Sequence, residues 1–206
     1  MSNQVRIKIC GITNLEDALV ATELGADAVG FVFYEKSPRY INPRTAALII
    51  RELPPFVATV GVFVNEPPDK LVDTAKQSGV GCVQLHGDET PEYCQSLGLR
   101  TIKALRVKDA YVLNELRSFT VSGILLDTYR EGVPGGTGET FDWEIAAEAA
   151  KAGRIILSGG LTPENVRQAI EKVRPYAVDV SSGVESKPGK KDHEKLRKFF
   201  EQVRTR

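Results

Sequence analysis

A thiol and an ammonium group share one side of the first segment that alternates like a β-strand. From Val5 to Cys10, apolar residues alternate with Arg6, Lys8 and Cys10, and Gly11 then allows the chain to turn. This period of two predicts a half-buried strand with Cys10 at its carboxyl end. Ligands of parallel α/β proteins bind at that end, so Cys10 is a candidate nucleophile or base. A small buried cysteine that only fills space is the alternative.

The thiol would need help to act as a base near neutral pH. An unperturbed thiol has a pKa of about 8.5, and lowering that pKa to about 7 requires roughly 2 kcal/mol of preferential stabilisation of the thiolate. Lys8, two residues before Cys10 on the same predicted face, is the candidate source of that stabilisation. Asp179, on the last predicted strand, could supply the counter-charge of Lys8. Lys8 and Asp179 could equally form a structural ion pair and nothing more.

Three further polar side chains are expected at the same end of the sheet. Asp127 directly follows the apolar run Ile124-Leu125-Leu126, His86 follows the fourth predicted strand, and Arg39 lies in the loop after the second. An unpaired buried carboxylate is costly. Asp127 is therefore either a helix cap or salt-bridge partner, or the acid that acts together with Cys10.

Two loops of small residues follow the last two predicted strands, namely Ser158-Gly159-Gly160 and Ser181-Ser182-Gly183. Such loops offer accessible backbone N–H groups at the place where parallel barrels commonly bind phosphate. An adjoining helix N-terminus would favour an anion further. The alternative is that the glycines only make tight turns. The segment from Pro134 to Gly138 lacks the Gly-Lys-Ser/Thr of a P-loop, so the long loop from Thr128 to Thr140 is predicted to be a flexible loop or lid.

Strand-like and helix-like segments alternate along the whole chain. The predicted strands cover residues 5–11, 27–33, 56–64, 81–85, 101–105, 122–126, 154–157 and 176–180. Alternation of this kind implies a parallel sheet with right-handed crossovers, and eight units favour a single-domain (β/α)8 TIM barrel over residues 1–206. An open doubly wound sheet is the alternative, but no Gly-x-Gly-x-x-Gly follows the first strand.

Helix boundaries are predicted from capping signals. Asn42, Thr90 and Asp192 precede helical segments, and the Thr13–Glu16 spacing is that of a capping box. Further helices are expected to begin at Asp142, which would cap its helix, and at Thr162. The first helix is expected to bury a stripe made of Leu15, Ala18, Leu19 and Thr22, and the last one a stripe made of Leu196, Phe199, Phe200 and Val203.

Composition excludes several classes of protein. The chain has 206 residues, 27 basic and 27 acidic side chains and three cysteines. A net charge of zero offers no field for nucleic acid or an anionic membrane, and the basic segment from Lys187 to Lys198 is interpreted as the solvated face of the last helix. No Cys-x-x-Cys or metal-type spacing of histidines is present, so neither a disulfide framework nor a metal site is expected. Without signal-peptide or membrane-length features, the protein is expected to be cytoplasmic.

A series of motifs gives the chain a family resemblance. They are Lys8-Ile9-Cys10-Gly11-Ile12-Thr13, Gly30-Phe31-Val32-Phe33, Ser37-Pro38-Arg39-Tyr40-Ile41, Val60-Gly61-Val62-Phe63-Val64-Asn65, Val83-Gln84-Leu85-His86-Gly87, Leu126-Asp127-Thr128, Ser158-Gly159-Gly160-Leu161 and Asp179-Val180-Ser181-Ser182-Gly183-Val184-Glu185. Together they closely resemble the phosphoribosylanthranilate isomerases, (β/α)8-barrel enzymes of tryptophan biosynthesis. The segment from about Leu97 to Val121 carries no motif of this family.

The resemblance implies an Amadori rearrangement of N-(5-phosphoribosyl)anthranilate to 1-(2-carboxyphenylamino)-1-deoxyribulose 5-phosphate, without a cofactor. It implies that Asp127 is the general acid at the ribose ring oxygen and that Cys10 is the general base at C2′. Arg39 would bind the anthranilate carboxylate. The phosphate would be bound in the region of Gly160 and of Ser182-Gly183. His86, Asp179, Gly159 and Ser181 are expected among the substrate-binding residues, with Lys8 in support.

Other functions remain as alternatives. The histidine-pathway isomerase uses a carboxylate at the end of strand one, where this chain has Cys10. Indole-glycerol-phosphate synthase would need a lysine acid and an N-terminal extension. A non-catalytic barrel that binds a phosphorylated ligand is the alternative from another class. The sequence leaves open whether the protein is a monomer or a homodimer.

Overall fold

Eight parallel strands close into a barrel in the computed structural model of this chain. The structure describes residues 4–107, 109–127 and 140–205. The barrel strands are β1 (Arg6–Cys10), β2 (Ala28–Val32), β3 (Ala58–Phe63), β4 (Cys82–Leu85), β5 (Thr101–Arg106), β6 (Gly123–Asp127), β7 (Ile155–Ser158) and β8 (Ala177–Val180). The predicted (β/α)8 barrel is confirmed.

The helices alternate with these strands, as the sequence predicts. They are α1 (Leu15–Glu23), α2 (Pro43–Arg51), α3 (Pro68–Ser78), α4 (Pro91–Ser96), α5 (Val112–Glu115), α6 (Thr140–Ala152), α7 (Val166–Val173) and α8 (His193–Arg204), with short 3₁₀ helices at Leu116–Ser118 and Ser182–Val184. No helix in the described ranges is long and apolar enough to cross a membrane. Residues 128–139 of the predicted loop or lid from Thr128 to Thr140 lie outside the described residues.

The barrel closes by pairing of the first strand with the last. Lys8 of β1 stands opposite Asp179 of β8, and Cys10 stands opposite Gly30 of β2. From Ile7 onward β1 is buried on both faces, so the prediction of a half-buried strand was wrong. In a closed barrel the outer face is covered by helices and the inner face by the other strands, and neither face meets water.

Alternate residues of each strand serve two separate layers. Outward side chains such as Ile7 and Ile9 join the large core between the barrel and its helices. The middle of the barrel interior is filled by a smaller apolar cluster of Ala104, Leu125, Ile156 and Ala177. Lys8, Gln84 and Asp179 are buried polar residues on the barrel strands. Because alternate side chains of a strand point to the same side, these three belong to the interior of the barrel. The interior of the barrel therefore contains buried polar side chains next to an apolar cluster.

Several predicted helix starts are confirmed. The side chains of Asn42, Thr90 and Asp192 accept hydrogen bonds from the backbone of α2, α4 and α8. The predicted buried stripe of α8, made of Leu196, Phe199, Phe200 and Val203, is also confirmed. Capping residues and the apolar stripe of a helix depend mainly on local sequence, so they could be predicted without the tertiary structure.

Other boundaries differ from the predictions. The cap of α1 is Asn14, whose side chain accepts from the Asp17 N–H at 2.9 Å, while the Thr13 hydroxyl donates to the Gly189 carbonyl in a distant loop. The buried face of α1 carries Asp17, Ala18 and Ala21, and Leu15 is exposed. The tertiary contact of Thr13 thus replaces the predicted capping box.

The starts of α6 and α7 were also misplaced. The chain is already helical at Thr140, so Asp142 lies inside α6 and not at its start. After Thr162 the chain makes a turn, in which the Asn165 side chain accepts from the Thr162 N–H at 2.8 Å, and α7 begins at Val166. The helix after β7 therefore begins beyond the small-residue loop, and does not adjoin it as predicted.

An unpredicted hairpin lies between the barrel and the last helix. It consists of β9 (Glu185–Lys187) and β10 (Lys190–Lys191), which pair antiparallel. The basic segment that begins here was interpreted as solvated, but Lys191 is 2 % exposed. That interpretation was wrong for Lys191, because the hairpin folds back against the ends of β1 and β8.

Candidate active site

One cavity of about 290 Å³ opens at the carboxyl ends of the barrel strands. Apart from Lys8 and Gly183, all the predicted site residues line it: Cys10, Arg39, His86, Asp127, Gly159, Gly160, Asp179, Ser181 and Ser182. Around the barrel, β8 and β7 separate β1, which carries Cys10, from β6, which carries Asp127. The two small-residue loops therefore stand between the thiol and the carboxylate.

Cys10 lies beside the Lys8–Asp179 ion pair. The Lys8 ammonium donates to Asp179 Oδ1 at 2.9 Å, and both side chains are almost completely buried. Gly30 leaves the space that these groups occupy, because a Cβ at that position would lie 3.0 Å from Cys10 Sγ and 3.2 Å from Lys8 Nζ. The ion pair and the thiol thus share one compact layer at the inner end of the cavity.

Lys8, the candidate source of thiolate stabilisation, is outweighed by the burial of Cys10. Burial raises the pKa of this thiol above its ordinary value, and the positive charge of Lys8 lowers it by less. Asp179 adds to the increase, while Lys191 acts in the same direction as Lys8. Burial alone would lower the pKa of the Lys8 ammonium, but the charge of Asp179 holds that pKa above its usual range. Lys8 is therefore a cation that favours the thiolate without fully offsetting desolvation.

Asp127 is contacted by His86 from the end of β4. The amide nitrogen of Gln84 lies 3.0 Å from His86 Nδ1, and His86 Nε2 lies 3.2 Å from Asp127 Oδ2. An amide nitrogen can only donate, so in this orientation Nδ1 accepts and the Nε2–H of His86 donates to Asp127. Gln84 thereby fixes the histidine tautomer, and His86 fixes one oxygen of the carboxylate.

Arg39 reaches the cavity from the loop after β2 and is held by Glu185. Its Nε and Nη2 donate to the two carboxylate oxygens at 2.9 and 2.7 Å, a bidentate pair. These hydrogen bonds raise the pKa of Arg39 above its usual value. Burial alone would raise the pKa of Glu185, but Arg39 and Lys191 hold it below its usual range. Among the described residues, Nη1 of Arg39 has no hydrogen-bond partner, so it can bind an anionic ligand.

The loops after β7 and β8 touch through their backbones. A Cβ on Gly183 would lie 1.9 Å from the Leu161 carbonyl oxygen, so only glycine fits there. Gly159 and Gly160 have φ values of 90° and 65°, which favour glycine. The Gly160 N–H donates no hydrogen bond within the described ranges, and the first N–H groups of the 3₁₀ helix at Ser182 have no partner inside that helix. The hydroxyl oxygen of Ser181 is buried and also has no hydrogen-bond partner among the described residues.

Sequence reasoning missed three polar residues around this cavity: Gln84, Glu185 and Lys191. Gln84 precedes His86 by two positions on one strand, and this spacing places both side chains on one face. That signal could have found Gln84. Glu185 closes the motif that follows β8, but its contact with Arg39 depends on the fold. No local signal separates Lys191 from its half-buried neighbour Lys190.

One group of potential metal ligands lies outside the cavity. Among the described residues, Glu16, Asp17 and His193 bring ligand atoms within 4.8 Å of one another. The ammonium of Lys190 lies 2.8 Å from Glu16 and 3.3 Å from Asp17, and His193 Nε2 lies 2.8 Å from Asp17. Because a lysine ammonium already balances these carboxylates, we interpret the group as an ion-pair cluster.

A (β/α)8 barrel with a thiol and a carboxylate around one cavity at its mouth has the architecture of a barrel enzyme that works by acid–base chemistry. Residues 7–202 match the family model of N-(5'phosphoribosyl)anthranilate (PRA) isomerase. The chain belongs to this family and is an isomerase of tryptophan biosynthesis.

Named relatives agree with the family model. The N-(5'-phosphoribosyl)anthranilate isomerase of Geobacter sulfurreducens is 57% identical over 97% of this chain and 98% of its own length. A phosphoribosyl anthranilate isomerase solved with reduced 1-(o-carboxyphenylamino)-1-deoxyribulose 5-phosphate is 51% identical, with a TM-score of 0.85 over 97% of this chain and 98% of that one. Monomers generated from the dimeric isomerase of Thermotoga maritima are 49% identical, with a TM-score of 0.85 and the same coverage.

Proposed function

We propose that this isomerase converts N-(5'-phosphoribosyl)anthranilate into 1-(2-carboxyphenylamino)-1-deoxyribulose 5-phosphate, with Asp127 as general acid and Cys10 as general base. One observation carries the assignment of roles. Both side chains line a single 290 Å³ cavity, with the loops after β7 and β8 between them. A sugar whose phosphate is bound by those loops would lie with the acid on one side and the base on the other.

The first chemical step opens the ribose ring. Asp127 donates a proton to the ring oxygen while the anthranilate nitrogen forms the Schiff base at C1′. The Nε2–H of His86 donates to Asp127 Oδ2 and stabilises the carboxylate that remains, because hydrogen bonds to a charged form favour it. His86 therefore acts in this proposal by holding the acid in position.

The second step moves a proton from C2′. The thiolate form of Cys10 removes this proton and leaves an enolamine. The enolamine then tautomerises to the ketone. No covalent bond forms between sulfur and the substrate. Lys8, Lys191 and Arg39 are the cations around this thiolate. Each proton transfer of this kind contributes roughly 10²- to 10⁴-fold to the rate.

The remote charges of the substrate would orient the reacting carbons. The phosphate would accept from the N–H groups of Gly160, Ser182 and Gly183, with Gly159 and Ser181 forming the rest of that cradle. The anthranilate carboxylate would bind the free Nη1 of Arg39. Because binding energy from such handles fixes the sugar between acid and base, it contributes to turnover as well as to affinity.

Growth tests the function directly. We expect the gene for this chain to restore growth without tryptophan to an auxotroph that lacks the isomerase, and we expect the purified protein to form the ketone product. The matched control is the same plasmid carrying Cys10→Ala together with Asp127→Asn, which should express equally and fail to restore growth. If the unchanged chain is expressed and folded but gives neither growth nor product, the proposed function is wrong.

The chain is further proposed to act as a homodimer in the cytoplasm, independently of nucleic acid and membranes. Phe56 is 98% exposed on the loop before β3. It lines a second cavity, of about 430 Å³, at the end of the barrel opposite the active site. A fully exposed aromatic side chain beside a partly apolar cavity suits reciprocal insertion between two copies of the chain.

The three cysteines are unpaired, in keeping with a reducing compartment.

Substitution of Phe56 should separate the two copies. We expect Phe56→Glu to sediment as a monomer while the unchanged chain sediments as a dimer, because a buried interfacial carboxylate would be left unpaired. Leu48→Glu is the matched control, since Leu48 is 62% exposed on α2 and should leave the mass unchanged. A monomer for the unchanged chain, or a dimer for Phe56→Glu, would contradict the proposed assembly.

A further inference from the structure

Lys191 is a buried lysine that the proposed mechanism uses only as a distant charge. Its side chain is completely buried between the hairpin and the barrel mouth. Its Nζ donates to the Cys10 carbonyl oxygen at 2.6 Å, to the Ser181 carbonyl oxygen at 3.1 Å and to Glu185 Oε1 at 3.0 Å. The ammonium thus joins the end of β1, the loop after β8 and the carboxylate that holds Arg39.

The three contacts indicate that this lysine is charged. An ammonium has three N–H donors and a neutral amine has two, so three acceptors at hydrogen-bond distance match the protonated form. Burial lowers the pKa of Lys191, and the charge of Glu185 opposes that effect. The side chain therefore contributes a positive charge directly behind the residue that carries the proposed base.

We infer that Lys191 is a positioning residue for Cys10: it anchors the carboxyl end of β1 through the Cys10 carbonyl and supplies positive charge that favours the thiolate. The inference rests on the proposed role of Cys10 as base. The same three contacts fix the end of β1 relative to the phosphate loop at Ser181 and, through Glu185, relative to Arg39. Base, phosphate cradle and carboxylate ligand are thereby held in one geometry before substrate binds.

Among the described residues, four charged groups face the thiol, and they act in different directions. Lys8 lies beside it on β1, Asp179 faces it from β8, Arg39 approaches from the loop after β2, and Lys191 lies behind it on β10. Asp179 is paired with Lys8 and disfavours the thiolate. Burial and Asp179 raise the pKa of the thiol, and the cations oppose that increase. Without the charge of Lys191 the opposition would be weaker.

The substrate-free protein provides the test. We expect Lys191→Met to react with iodoacetamide at Cys10 roughly tenfold more slowly near neutral pH, because loss of the positive charge raises the thiol pKa and leaves less thiolate. The rate of alkylation is followed against pH by mass spectrometry of the peptide that contains Cys10. In the enzyme assay, kcat should fall by a similar factor and its pH profile should move to higher pH. A purely structural lysine would lower thermal stability and leave both pH profiles in place.

Lys190→Met is the matched control, because it removes the same charge from the neighbouring residue, whose ammonium pairs with Glu16 and Asp17 instead. Its alkylation and pH profile should equal those of the unchanged chain. Equal profiles for Lys191→Met and Lys190→Met would overturn the inference. If Lys191→Met does not fold, Lys191→Gln keeps a donor for the carbonyls without the charge, and the same comparison applies to it. Alkylation needs no substrate, so failure of the proposed isomerase activity would be seen separately.

Discussion

Asp127→Asn is expected to reduce kcat/KM by roughly 10²- to 10⁴-fold, the contribution of a well-placed general acid. The amide has almost the shape of the carboxyl group and its oxygen can still accept from His86, whose Nε2 lies 3.2 Å from Asp127 Oδ2. It has no acidic proton to give to the ring oxygen. The loss should appear in kcat, while a reduced analogue of the product should bind to the variant almost as tightly as to the unchanged chain.

The control for Asp127→Asn is Asp73→Asn, which makes the same chemical change on the exposed surface of α3. It should leave kcat and KM within about twofold, as is usual for surface substitutions. Turnover of Asp127→Asn at the normal rate would refute its role as the acid. A large loss of affinity for the analogue, with kcat preserved, would instead assign Asp127 to binding.

The barrel and much of its mouth could be predicted from sequence because they depend on short-range patterns. Alternation of apolar strands with amphipathic helices is a local property, and eight such units define the closure of the barrel. Once the barrel is inferred, the last residue of each strand is placed at the active face. That rule located Cys10 and Asp127 without knowledge of any contact, and the register Lys8↔Asp179 follows from the closure of β1 on β8.

The charge network behind the mouth could not be predicted in the same way. Lys190 and Lys191 are adjacent and identical, yet the side chain of Lys190 is 37% exposed and that of Lys191 is completely buried. Their difference is decided by where β10 packs, which is a long-range contact. Glu185 likewise meets Arg39 across 146 positions of the chain. The two lysines lie in a segment that was interpreted as solvated, because charged residues usually are.

The net effect of the surroundings on the Cys10 pKa could not be predicted for a related reason. The sequence shows Lys8 two residues away and therefore shows a favourable charge. It does not show the degree of burial, and desolvation of the thiol is the larger effect in the folded protein. A sequence pattern can name the charges near a group, but their balance against desolvation depends on packing.

Cys10→Ala is expected to lower kcat by at least about a hundredfold, within the range of general-base catalysis. Removal of the thiol leaves proton abstraction from C2′ to water, while the phosphate loops and Arg39 still bind the ligand. The pH profile gives a second signature. Because burial raises the pKa of Cys10, the thiolate fraction and hence kcat/KM of the unchanged chain should rise as the pH rises through that pKa. This rise should be absent from the residual activity of Cys10→Ala.

Cys82→Ala is the matched control for Cys10→Ala, because both thiols are buried on barrel strands and each is 8% exposed. Cys82 begins β4 and lines the cavity at the opposite end of the barrel, so it should keep both kcat and the pH profile. Loss of stability from a smaller side chain would affect both variants and is measured by thermal unfolding. If Cys10→Ala turned over like Cys82→Ala, the thiol would be a packing residue and the base would have to be sought elsewhere in the cavity.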